Sequence, residues 1–223
     1  MDRRFACLAL LTVVCGLGAD EPKPTPPAPR VVVTGKSVGL MLMKETTGKE
    51  TKTLQVTLLE LADHSKLAVA LPPEPPQARK EGGADPDLER LLRQATQTPE
   101  MVVQGRLSST SNTTVLAVVG AKDAKTIPLL IADRVTELTA TNRKDFPPLN
   151  AARVEGVLVR APTKLGPLTT DWALGQDAPA QIPLLLAPGA PTPVAGGKVR
   201  VTGPVRVVHG RFVVQVKEMD AIK

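Results

Sequence analysis

The side chains with the widest chemical reach in this chain are few. It has two histidines, His64 and His209, and two cysteines, Cys7 and Cys15. A structural or catalytic zinc site needs three or four imidazole, thiolate or carboxylate ligands held together. Two histidines so far apart in sequence do not build a histidine-rich cluster. Asp63-His64-Ser65 contains the letters of a hydrolytic triad, but adjacent residues in one turn do not align as nucleophile, base and orienting acid. His209 precedes Gly210 between two valine-rich segments, and a two-residue turn that tolerates a left-handed residue explains it. There is no phosphate-cradling glycine loop, zinc-protease helix motif or Gly-x-Ser-x-Gly elbow. The material for acid–base chemistry is the carboxylate pairs Asp133 with Glu137 and Asp171 with Asp177, which keep one alternative open: a hydrolase acting on envelope polymers. No cofactor is expected.

Binding chemistry has more to draw on. Lys198, Arg200, Arg206, Arg211 and Lys217 fall on the phase opposite the valines of the last segments, which predicts a solvent-facing basic ribbon. Such a ribbon can dock an anionic partner, or simply protect an exposed strand from edge-to-edge association. Trp172, beside Asp171, is the candidate exposed platform, with half-buried packing as its other role. After Phe5 the remaining aromatics are Phe146 and Phe212, and Phe212 lies on the apolar phase of its segment. The net charge of +6 is mild and the charges are interspersed, which argues against a nucleic-acid stripe along the whole chain.

These residues need elements to hold them. From Val31 onward, short valine-, leucine- and threonine-rich segments broken by Gly, Pro and Asn predict strands. They run over 31–35, 39–44, 53–61, 66–71, 101–107, 113–119, 126–135, 152–160, 171–174, 181–187, 198–208 and 211–219. One amphipathic helix is predicted over about 85–97: Asp85 caps it, Pro86 suits its first position, and Leu88, Leu91, Leu92 and Ala95 share a face.

Two phrases recur. Val-x-Gly appears at Val33-Thr34-Gly35, Val103-Gln104-Gly105, Val154-Glu155-Gly156 and Val201-Thr202-Gly203; Ile-Pro-Leu-Leu appears at Ile127 and again at Ile182. Together they predict an internal duplication, with the glycines bending the sheet. Gly203-Pro204 is expected at a bulge or an edge, since proline cannot donate to a ladder.

The order of strands, a helix and two further strands from Val31 to Val119 resembles an OB-fold, a small five-stranded barrel. The closing segment, in which Val205 and Val207 face the core beside Phe212 and Val214, is similar to the last hairpin of such a barrel. The resemblance implies a mainly β protein of one or two OB-like barrels acting as a binding module, with an ordinary β-sandwich as the alternative. The segment 126–135 has no place in the simple version.

The start of the chain reads as a cleavable secretory signal over 1–19. Arg3 and Arg4 precede fourteen apolar or small residues, Phe5 to Gly18, and Leu17-Gly18-Ala19 supplies a cleavage site. That run is shorter than the roughly 20 residues a spanning helix needs, and it contains both cysteines. Residues 20–30, with five prolines, predict an extended linker. A barrel-like domain over 31–145 and a smaller OB-like one over 146–223 complete the expected organisation. The expected function is an exported, non-enzymatic binding or scaffolding module, its partner an anionic glycan, a nucleic acid or an envelope protein.

Overall fold

The computed structural model describes residues 28–47, 50–70, 99–108, 115–116, 125–175, 181–189 and 192–222. The elements among them are almost all strands: β1 (Arg30–Thr47), β2 (Glu50–Glu60), β3 (Lys66–Ala70), β4 (Glu100–Leu107), β5 (Val115–Leu116), β6 (Lys125–Thr126) and β7 (Leu129–Glu137), then β8 (Ala151–Leu165), β9 (Leu168–Leu174), β10 (Ile182–Leu185), β11 (Lys198–Val208), β12 (Arg211–Gln215) and β13 (Glu218–Ala221). One 3-10 turn, Arg143–Asp145, precedes β8. The mainly β reading is correct. The signal over 1–19 and the helix over 85–97 lie outside the described residues.

The strands close two rings of the same order. In the first, β1 pairs with β2, β2 with β3, β3 in parallel with β7, β7 with β4, and β4 returns to β1. In the second, β8 pairs with β9, β9 with β10, β10 in parallel with β12, β12 with β11, and β11 returns to β8. Five strands, with only the third and fifth parallel, make an OB-like ring. Alternation drives the closure: Val31, Val154 and Leu158, and Val199, Val201 and Val205 are buried while their neighbours in sequence are more exposed. A ring can bury one face of every strand at once and leave no edge unpaired.

The glycines of the recurring Val-x-Gly phrase occupy equivalent places. Gly35 and Gly156 lie in the first strand of each ring, and Gly105 and Gly203 in the fourth. Gly105 marks a bulge against β7. A Cβ there would stand 2.0 Å from the Ile131 carbonyl oxygen, and one at Gly203 would stand 1.9 Å from that of Gln215. No side chain fits where the fourth and fifth strands cross so closely. Pro204 falls where β11 leaves β8 and takes up β12, so its missing N–H lies between two ladders.

The rings are joined through their first strands. Val31, Val32 and Val33 pair with Val154, Arg153 and Ala152, which merges β4, β1, β8, β11 and β13 into one sheet. The apolar interiors of both rings form one continuous cluster, from Val31 and Leu67 to Ile182 and Phe212. Buried Thr34 donates its hydroxyl to the Pro148 carbonyl and accepts from the Ala151 N–H at 3.3 Å. Ser65 Oγ accepts from the Val207 N–H at 3.1 Å. A second, smaller cluster of Val56, Leu58, Ala68, Ala70 and Leu129 lies on the opposite face of β2, β3 and β7.

Four expectations change. The segments over 31–35 and 39–44 are one strand, β1, with a register shift between Ser37 and Leu40. The fifth strand of the first ring is β7, the segment that had no place, while the described part of 113–119 is β5, paired with β6 outside the ring. Ile127-Pro128-Leu129-Leu130 leads into the fifth strand of one ring, whereas Ile182-Pro183-Leu184-Leu185 is the third strand of the other. The two copies are thus the parallel partners of different strands and not counterparts in a duplication. The predicted strand over 211–219 is two, because the chain leaves β12 after Gln215 and rejoins β11 as β13.

Candidate functional site

In an OB-fold, the loops joining strands one to two and four to five flank the usual ligand surface. In the second ring these are the turns at Gly166-Pro167 and His209-Gly210. Both residues of the latter are left-handed, His209 at φ 48° and Gly210 at φ 75°, as a two-residue hairpin of this hand requires. Gly166, at φ 63°, packs under His209, for a Cβ there would lie 2.2 Å from its Nε2. The imidazole therefore rests against the neighbouring turn.

Cations flank these turns in sequence. Lys164 stands two residues before Gly166 on β8 and Arg211 follows Gly210 on β12, while Arg206, outward-facing on β11, donates to Gln215 Oε1 at 3.1 Å, which directs its guanidinium along the hairpin away from the turn. Among the described residues, no carboxylate is in ion-pairing distance of these three. Leu168, 41% exposed, adds an apolar contact where β9 begins. Lys164, Leu168 and the Gly166-Pro167 turn were not singled out from sequence, although a Gly-Pro dipeptide between two apolar runs is a turn signal.

The structure divides the predicted basic ribbon. Arg211 adjoins the loop end, and Arg206 stands farther along the same hairpin with its guanidinium on Gln215. Lys198 is exposed across from Val157, toward the other end of β11. Arg200 lies between Glu155 and Asp220 in register and donates from Nε to Glu155 Oε1 at 2.8 Å. It is half of a neutralised cross-strand pair, with little charge left to offer. Lys217 is exposed and lines a pocket of about 300 Å³ between the rings, with Leu149, Asn150, Thr202, Pro204 and Glu218.

Trp172 faces inward. It is half-buried, packs against the main core, and pairs across to Arg160 and Leu184, with buried Thr170 accepting from its N–H. Phe212 is 2% exposed in that core. Phe146 is half-buried beside the 3-10 turn.

The acid–base candidates are scattered. His64, left-handed at φ 58°, bonds Glu60 through Nδ1 at 2.8 Å, while Ser65 donates to the Asp63 carboxylate, so the histidine does not address the serine. Asp133 is the extra residue of the β7 bulge, and Glu137 and Asp171 are exposed. Asp177 lies outside the described residues. Among the described residues, no three His, Cys, Asp or Glu side chains stand together in a metal-binding group.

No protein-family model and no curated protein matches the chain. A solved structure of a murine DNA-binding protein bound with double-stranded DNA is similar over 89% of this chain and 98% of that one, at 10% identity and a TM-score of 0.23. At that degree of overlay, neither its fold nor its ligand is carried over to this chain.

Proposed function

We propose that the chain is an exported, non-enzymatic binding module that holds an anionic polymer at the loop end of its second ring. The observation that supports this is the contact of His209 on Gly166, which brings the two loops together next to Lys164 and Arg211, with Arg206 farther along the same hairpin; among the described residues no carboxylate pairs with any of the three. Export rests on the charged start, the apolar run and the small residues before Asp20. N-terminal sequencing of the protein recovered from the envelope or medium is expected to begin at Asp20. Full-length chain confined to the cytoplasm would contradict export.

Binding is tested by titrating a polyuronate and a single-stranded oligonucleotide against the protein at fixed low salt. The Arg206→Gln/Arg211→Gln double variant is expected to bind about tenfold or more weakly, because charge-assisted contacts contribute roughly 1.5–3 kcal/mol each. Arg200→Gln is expected to stay within about twofold, since Glu155 already occupies that guanidinium, and an exposed ion pair adds only about 0–1 kcal/mol to stability. Equal losses in both variants would show that overall charge, and not the loop end, does the binding.

A further inference from the structure

A second feature, independent of the loop end, lies on the outer face of the joined sheet. Arg30, Val32, Gln104, Arg153 and Glu155 line a shallow dish of about 210 Å³. Three strands from both rings build it. Gln104, Val32 and Arg153 stand in one row across β4, β1 and β8, and Arg30 pairs with Glu155 in the next. The alternation that buries Val31, Val33, Ala152 and Val154 turns these residues outward.

The charges in the dish do not cancel internally. Glu155 faces Arg30 across the ladder, yet its carboxylate accepts from Arg200, outside the dish. Among the described residues, no carboxylate is in ion-pairing distance of Arg30 or Arg153. Exposed Arg106, two residues along β4 from Gln104, adds positive charge near the rim.

We infer that this dish binds a phosphate group. Two guanidinium forks on diagonal positions of adjacent strands, about 7–8 Å apart at their backbones, offer more N–H donors than one planar carboxylate can accept. A tetrahedral oxyanion can take both forks and the Gln104 amide together. Val32 adds methyl groups to the lining between the two arginines. The volume corresponds to about seven waters, enough for a phosphate group with a small substituent.

The test uses the full chain labelled with ¹⁵N and titrated with inorganic phosphate, glycerol 3-phosphate or acetate at constant ionic strength, following the Gln104 side-chain amide and the arginine Nε signals. Saturable shifts with either phosphate, and weaker ones with acetate, are expected. A preference for the ester identifies the ligand as an esterified phosphate, and equal binding identifies the free ion. Arg153→Gln and Arg30→Gln are each expected to weaken phosphate by about tenfold or more. Arg153→Lys should recover only part of this, because it keeps the charge and loses the fork. The Arg206→Gln/Arg211→Gln variant should bind phosphate unchanged, which separates this site from the loop end. Should an arginine variant fail to fold, Gln104→Leu replaces it and should weaken phosphate selectively over acetate. Acetate matching phosphate, or phosphate affinity unchanged in a folded dish variant, would overturn the inference.

Discussion

Gly203→Val and Gly105→Val should each lower the stability of the chain by more than about 3 kcal/mol, the upper range for forcing atoms into a packed interior. The first atom of any side chain would stand 1.9 Å from the Gln215 oxygen in one case and 2.0 Å from the Ile131 oxygen in the other. The obstacle is backbone, which no rotamer change relieves. The fourth strand must move off the fifth, and the ring opens at its tightest crossing. Thermal unfolding should show a fall in Tm of roughly 6 °C or more. Gly197→Ala is the control: nothing lies within 4 Å of a Cβ there, so its effect should stay within about 0.5 kcal/mol. A Gly203 variant as stable as this control would contradict the closed second ring.

Phe212→Ala is expected to cost about 3–5 kcal/mol, the range for removing a buried aromatic ring. Phe212 pairs with Val207 on β11 and shares the core with Val205 and Val214. Its loss leaves a void between the fourth and fifth strands, which bind the second ring together. Trp172→Ala should cost less, because part of that ring is already in water, and should leave polyanion affinity unchanged. Chemical denaturation measures the first effect. A Trp172→Ala variant of undiminished stability but weakened binding would restore the tryptophan as a ligand platform.

The period-two alternation of Val199, Val201, Val205, Phe212 and Val214 was legible in the sequence because burial of one strand face leaves a local pattern. So was the His209-Gly210 turn, whose left-handed residues are a short-range requirement. The placement of β7 was not legible. Its parallel partner β3 is far away in sequence, and a parallel pairing leaves no turn to announce it. Ile-Pro-Leu-Leu misled for the same reason, since both copies suit a strand buried in a parallel pair and the phrase does not say which strand of the ring it forms.

The basic ribbon shows a different limit. Alternation correctly turned Arg200 and Arg206 outward, but neutralisation depends on cross-strand neighbours. Glu155 reaches Arg200 only because β8 lies beside β11. The Gly166–His209 contact likewise joins two turns with no shared sequence signal. The dish around Val32 exists only because the two first strands pair, a juxtaposition between rings that no local pattern encodes.

If Arg206 and Arg211 engage a polyanion, affinity must depend on salt through them, because each neutralised anionic group releases counterions and steepens the log–log slope. Measured with the polyuronate between low and physiological salt, the double variant Arg206→Gln/Arg211→Gln should show a slope shallower by about two units than the unaltered chain, roughly one for each lost contact. An unchanged slope in the folded double variant would show that the two arginines do not contact the polyanion.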